Sequence, residues 1–275
     1  MKARPSFPVQ LPDRVAGVLP VKPHAHPVSQ PAQPLLAARK KTAPALPGVS
    51  VGLGMDSSAV RMAMVHKLAA QGLTDARVLA ALGRVERHRF VESALANQAY
   101  EDTSLPIGLG QTISKPGVVG RMLALLMQAP ACESAQGGLG RVLEIGTGCG
   151  YQAALLSQLA SEVYSIERLR GLHDKARDNL RFMRLANVHL LLADGRIGYP
   201  KGAPYAGIIA AAGGEALPQA WLDQLAVGGR LVAPVTQPGA GPGQQALMVV
   251  DRTAQGFTQK MLEPVLFVPL KSGVA

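Results

Sequence analysis

Residues 141–167 read RVLEIGTGCGYQAALLSQLASEVYSIE, and the pattern is strand, glycine turn, helix, strand. Val142, Leu143 and Ile145 make the short apolar run of a strand buried on both faces. Gly146, Gly148 and Gly150 alternate with Thr147 and Cys149. Tyr151 to Ala160 follows at helical spacing, and Val163, Tyr164 and Ile166 form a second strand that ends in Glu167. Glycines in such a turn let the backbone approach a ligand closely. The helix behind them points its free N–H groups at the same spot. An acid at the tip of the second strand can accept hydrogen bonds from two ribose hydroxyls. A glycine turn serving only strand-to-helix geometry is the plainer reading, but the acids Glu144 and Glu167 and the strand–helix–strand context argue for a nucleoside-cofactor site.

The glycine spacing says which nucleoside. A dinucleotide fingerprint is G-x-G-x-x-G, whereas this chain has G-x-G-x-G with Glu144 two residues before the first glycine. A carboxylate there would repel a pyrophosphate and suits a cationic sulfonium with its amino group. S-adenosylmethionine is therefore expected rather than NAD.

Around this centre the remaining pattern alternates. Leu169 to Leu185 reads as a basic amphipathic helix, Val188 to Leu192 as a third strand closed by Asp194-Gly195, and Ile208-Ile209 as a fourth strand. An acid at the third strand's tip can reach an adenine amino group, or Asp194 can simply serve a turn. Leu217 to Leu225 is a helix and Gly229 to Val235 a fifth strand. After a Gly/Pro/Gln loop at 236–245, Ala246–Val250 and Thr258–Val268 look like antiparallel strands ending the sheet. Strands alternating with helices predict a doubly wound α/β sheet with its ligand at the carboxyl edge.

Upstream, residues 56–129 look mainly helical. Asp56 or Ser57 can cap a helix that stops at Gly72, Thr74 can cap a second, and Phe90, Val91 and Leu95 suggest a third. Residues 100–116, YEDTSLPIGLGQTISKP, read as a loop, and Pro116 suits the first turn of a helix ending near Gln128. Ser114 sits just before that helix, so capping and function are both open to it.

Residues 1–54 differ in kind. They hold 10 of the 21 prolines and, with seven Lys/Arg against Asp13, contribute +6 of the formal +10 charge. They read as a disordered, basic, proline-rich tail, with 55–275 as the folded domain. The domain's share of about +4 is then ordinary, so the charge is weak evidence for nucleic acid. His24 and His26 lack a third ligand, and His66 and His88 lack partners at metal spacing, so no metal is expected. Two cysteines do not make a disulfide framework, and no apolar run is long enough for a membrane span, which points to the cytoplasm.

The stretches LPIGLGQTISKP, RVLEIGTGCGYQAALL, VYSIERL, ADG, LDQLAVGGRLVAPV and LFVPL, in this order, resemble the protein-L-isoaspartate O-methyltransferase family. The resemblance runs from about residue 56 to residue 275. The glycine turn is shared by many methyltransferases; the LPIG-GQTIS-P loop and the FVPL stretch are far more specific. The resemblance implies a Rossmann-like methyltransferase sheet (131–275) behind N-terminal helices and a substrate loop (55–130). It implies methyl transfer from S-adenosyl-L-methionine to the free carboxylate of L-isoaspartyl residues in damaged proteins and peptides. A monomer with no specific nucleic-acid partner and no membrane partner is expected, the basic tail being open to nonspecific contact at most. Ser114 matches the family's active-site serine. Thr112, Glu144, Gly146, Gly148, Gly150, Glu167, Asp194 and Gly195 match its cofactor-contacting positions. The chain departs from the family pattern at Cys149, at Ala206, where an acid is usual, and at Ile209 to Ala212, where VTAA is usual.

The chemistry agrees with the residues. A substrate carboxylate, with a pKa of about 3.5, is already ionised at neutral pH and asks for no general base; no His or Cys lies in 102–116. An amine or hydroxyl acceptor would ask for one. A nucleic-acid methyltransferase is disfavoured because IAAAGG follows the fourth strand where a D/N-P-P-Y-like motif for base amines would stand. A NAD-dependent oxidoreductase is disfavoured by the glycine spacing and by Glu144. A noncatalytic protein-binding chain that kept the fold is permitted by the departures at 206–212.

Overall fold

Gly72, the predicted stop of the first helix, takes a φ of +102° two residues past helix α1, Ser58–Ala70. The computed structural model describes residues 58–130, 132, 138–237, 239 and 243–275. All of these belong to the second of the two units into which the chain divides, Val49–Ala275. The expected tail, its histidines, and the caps at Asp56 and Ser57 lie outside the described residues.

Helix α2, Ala76–Arg84, is capped by Asp75 and not by Thr74. The Asp75 carboxylate accepts from the N–H groups of Arg77 and Val78 and pairs with the Arg77 guanidinium at 2.7 Å. Starting one residue later gives the cap these extra partners. The expected third helix is instead two 3-10 turns, Arg87–Phe90 and Ser93–Gln98, separated by extended backbone at Glu92. Residues 100–116 are more regular than a loop. They form a small antiparallel hairpin of β1, Leu105–Gly108, and β2, Gln111–Ile113. Gly108, Leu109 and Gly110 all turn it through positive φ. Strands of four and three residues are too short to show an alternating pattern in sequence. Helix α3, Pro116–Met127, starts and stops where expected.

The central strands are β3 (Leu139–Ile145), β4 (Ala160–Glu167), β5 (Val188–Leu192), β6 (Tyr205–Ala210), β7 (Leu225–Thr236), β8 (Gln245–Thr253) and β9 (Gly256–Val265). They form one sheet in the order β5-β4-β3-β6-β7-β8-β9, parallel through β7 and antiparallel after it. The helices between them are α4 (Tyr151–Leu156), α5 (Arg170–Leu180) and α6 (Gln219–Gln224). Helix α4 ends earlier than its periodicity suggests, and Ala160 already belongs to β4. The Asn187 amide donates to the carbonyls of Ser157 and Ala160, which satisfies that early corner. Between β5 and β6 the chain makes only two 3-10 turns, so the helix–strand alternation lapses there. Tyr164 stacks on His189 and Tyr199 at that place, with ring centroids 4.8 and 5.3 Å apart.

Hydrophobic clusters lie on both faces of the sheet. Val142 and Ile209 pack with Leu123, Leu126 and Leu155 from the helices on one side. Leu143, Ile145, Ile166 and Ile208 pack with Trp221 on the other. The strand order doubles back at β3, which has β4 on one flank and β6 on the other, and that reversal opens a crevice at the carboxyl edge. No helix among the described residues is long and apolar enough to cross a membrane.

The cap assignment has a direct test. Asp75→Ala should cost about 1 kcal/mol and lower the melting temperature by about 2–4 °C, while Thr74→Ala should shift it by less than about half of that. Thermal melts of the two variants decide; equal losses would return the cap to Thr74.

Candidate active site

The glycine turn is closed onto β4 by its own backbone. The N–H groups of Gly146 and Thr147 both donate to the Ile166 carbonyl, at 2.8 and 3.1 Å. The Gly148 N–H donates to Glu167 Oε2 and the Leu169 N–H to Glu167 Oε1, each at 2.9 Å. Glu167 is thus an almost fully buried carboxylate pinned at the strand tip. The three glycines have φ of +90°, +57° and +91°, where side chains other than glycine's are strained. Their surroundings differ. Gly146 and Gly148 line a cleft, where a Cβ would meet Ala211 at 3.5 Å and Ile107 at 3.2 Å, whereas a Cβ on Gly150 would meet Leu180 on α5 at 3.1 Å.

The cleft has four walls: the β1–β2 hairpin with Thr112 and Ser114, the glycine turn with Glu167, the tips of β5 and β6 with Gly195, Ala211 and Ala212, and residues 268–271. The last segment is held to the β6 tip, with Gly213 N–H donating to the Val268 carbonyl at 2.9 Å and Leu270 N–H to the Gly213 carbonyl at 2.7 Å. Ser114 does not cap α3. The cap position belongs to Lys115, which makes no side-chain cap, and the helix's Gly117 N–H is taken by Asp102 Oδ1 at 2.7 Å. Two titratable side chains in the cleft wall stay protonated at neutral pH. Burial pushes the Cys149 thiol up to about 11 and the Tyr151 phenol up to about 12.

A family model for protein-L-isoaspartate(D-aspartate) O-methyltransferase matches residues 59–275. The chain belongs to this family of S-adenosylmethionine-dependent methyltransferases. It is 55% identical over 276 residues to the protein-L-isoaspartate O-methyltransferase of Methylibium petroleiphilum, covering 98% of this chain and 96% of the relative. The enzyme of the same name from Leptothrix cholodnii is 57% identical over 247 residues, covering 90% of this chain and 84% of its own. Among solved structures, a chain from Plasmodium falciparum described as a protein-L-isoaspartate O-methyltransferase, in complex with S-adenosyl-L-homocysteine, is 21% identical. It superposes with a TM-score of 0.65 over 77% of this chain and 98% of its own. A second protein-L-isoaspartate O-methyltransferase structure is 24% identical with a TM-score of 0.67, covering 78% of this chain and 67% of its own. These likenesses establish the doubly wound, Rossmann-like sheet, and membership in this family removes the oxidoreductase and nucleic-acid methyltransferase readings of the sequence.

Of the nine positions the sequence singled out, Thr112, Ser114, Gly146, Gly148, Glu167 and Gly195 line the cleft, and Glu144, Gly150 and Asp194 do not. Gly150 serves the packing of α5 and the start of α4. Asp194 behaves as the turn residue of the plainer reading. It accepts from the Arg196 N–H at 2.8 Å, and its other oxygen accepts from the Gly273 N–H at 2.6 Å. Glu144 is fully buried and lies outside the cleft lining. Its register partner on β4 is Ser165, whose hydroxyl donates to Glu144 Oε2 and lies 2.6 Å from the Thr147 hydroxyl. The chain Glu144–Ser165–Thr147 is buried behind the turn. The strand's alternation could have hinted at this, because Glu144 and its neighbour Ile145 point to opposite faces. The sequence reading took the FVPL stretch, 267–270, as a mark of the family without placing it at the site, and gave no site role to Tyr151 or Arg87.

Burial, with Glu167 nearby adding to it, raises the Glu144 carboxyl from 4.5 to about 8, against the lowering pull of the Ser165 hydroxyl. An acid with a raised folded pKa contributes fully below its unfolded value and loses that contribution as pH rises through the folded one. The protein without added cofactor should therefore lose stability between pH 4.5 and about 8. Glu144→Gln keeps an acceptor for Ser165 and removes the titration. Its melting temperature relative to the parent should climb across that window. Parallel melting curves over pH would refute a buried, neutral Glu144.

Proposed function

We propose that this chain transfers a methyl group from S-adenosyl-L-methionine to the free carboxylate of L-isoaspartyl residues in damaged proteins and peptides, the first step in their return to aspartate. One observation carries the reading: the half-buried Ser114, released from any capping duty, shares a cleft with the glycine turn and Glu167.

The residues present suit this cofactor. Gly146 and Gly148 line the cleft with backbone that carries no side chain, and Glu167 keeps acceptor capacity on both oxygens after its two backbone bonds. Those residues, with Gly195 and Thr112, would hold the nucleoside and its amino-acid arm. The cofactor brings a methyl on a sulfonium, and the sulfur departs without needing a proton. The protein's task is then positional. The hairpin presents Ser114, whose hydroxyl donates to one oxygen of the acceptor carboxylate and turns the other toward the methyl. The thiol of Cys149 and the phenol of Tyr151 take no proton from the substrate, and a carboxylate has none to give. Holding two partners in line can supply about 7–11 kcal/mol of the barrier. We place the enzyme in the cytoplasm, where its free, buried Cys132 and Cys149 stay reduced, and read it as a monomer with no nucleic-acid or membrane partner.

The test is radiolabel transfer from S-adenosylmethionine to an isoaspartyl peptide and to its aspartyl twin. Label should enter the first alone; equal labelling of both would end the reading. Ser114→Ala should lower kcat by about tenfold or more, as the loss of one well-aimed hydrogen bond implies, with little change in melting temperature. Full turnover in that variant would remove Ser114 from the mechanism and leave the substrate assignment standing.

A further inference from the structure

Arg87 lies in the 3-10 turn before the substrate loop and is fully buried. Its guanidinium pairs with no carboxylate among the described residues. Instead Nε donates to the Ala99 carbonyl at 2.7 Å and Nη2 to the Ser114 carbonyl at 2.8 Å. Those two carbonyls bracket the loop that carries the β1–β2 hairpin. The same guanidinium stands 4.8 Å from the ring centroid of Tyr151, the residue that follows the glycine turn and opens α4. One planar fork therefore touches the start of the loop, its end at Ser114, and the helix behind the cofactor turn.

Such a residue is costly. Burial pulls the Arg87 pKa down, against the opposing pull of Tyr151, Cys149 and Asp102 nearby. Well-packed apolar side chains are commonly cheaper at a buried site than ions are. What the fork adds is geometry: two donors at a fixed angle, which a lysine cannot reproduce.

We propose that Arg87 is a positioning residue for methyl transfer, holding the Ser114 main chain against the glycine-turn helix so that the Ser114 hydroxyl meets the acceptor carboxylate in line. This deepens the reading above and rests on it. The action is indirect, because Arg87 lies behind the loop and lines no part of the cleft.

The test uses the full chain with Arg87→Lys, which keeps the charge and loses the fork, and Arg87→Met, which keeps length alone. S-adenosylhomocysteine affinity by calorimetry should stay within about threefold of the parent, while kcat on the isoaspartyl peptide falls by about tenfold or more. The deciding measurement is a cycle with Ser114→Ala. That substitution should lose most of its effect, to within about threefold, once Arg87 is lysine, since a hydroxyl already misplaced has little left to give. Leu68→Ala, a core variant that lines no part of the cleft, should keep kcat well below its melting temperature despite lower stability. An unchanged kcat in Arg87→Lys, or fully additive losses with Ser114→Ala, would overturn the assignment. So would failure of both Arg87 variants to fold, which would make Arg87 a scaffold residue. An inactive parent enzyme would instead indict the substrate reading, before any Arg87 variant is assayed.

Discussion

The Glu167 carboxylate receives one N–H from Gly148 and another from Leu169, and the shape of the cleft follows from that pair of bonds. The first draws the glycine turn after β3 against the tip of β4. The second fixes the chain as it leaves β4 for α5. A charge-assisted bond of this kind is worth about 1.5–3 kcal/mol, roughly twice a neutral one. The turn can meet Glu167 only because three positive-φ glycines let it curl without a Cβ in the way. Once that corner is set, the hairpin, the β6 tip and residues 268–271 have a fixed surface to close around.

How much of the fold and site is legible in the sequence depends on how local each signal is. The strand–turn–helix–strand core is legible, since apolar runs, glycine spacing and a terminal acid all lie within 27 consecutive residues. So are the antiparallel ends of the sheet and the proline start of α3. The hairpin is not, because its strands hold too few residues to show a period. Nor is the missing helix between β5 and β6, where turn residues and stacked aromatics cover what a helix would have covered. Thr74 and Asp75 are neighbours with equal local claims, and the Arg77 side chain adds to the backbone bonds that favour Asp75. The substrate loop and cofactor positions come from resemblance to a family, and that route does not say which matched positions touch the cleft. Glu144, Gly150 and Asp194 match the family pattern while facing β4, α5 and the Gly273 backbone.

The glycine turn is flanked by two buried ionisable groups that the sequence does not distinguish from surface charges. Glu144 sits beneath it with Ser165 and Thr147, and Arg87 sits beyond Tyr151, held by backbone carbonyls and the Tyr151 ring. Neither position favours its charged form: burial raises the pKa of the acid and lowers that of the base. Partly satisfied buried polar groups are expensive, yet fully connected ones hold a single arrangement rigidly. Their placement against the turn and the substrate loop is where rigidity has most to offer.

The reaction itself explains why rigidity matters here more than acid–base tuning. A carboxylate acceptor is already a nucleophile at neutral pH, and the thiol and phenol in the cleft wall are held protonated by burial. With no proton to move, nothing in the site can compensate for a misplaced partner by becoming a better base. Discrimination between an isoaspartyl and an aspartyl chain must come from shape too, since both present carboxylates of similar acidity at different distances along the backbone. The hydrogen bonds that tie 268–271 to the β6 tip, Asp102 to α3 and Arg87 to Ser114 all fix main-chain positions around the cleft. An enzyme whose catalytic power is alignment would need its walls held at the backbone, and in this cleft they are.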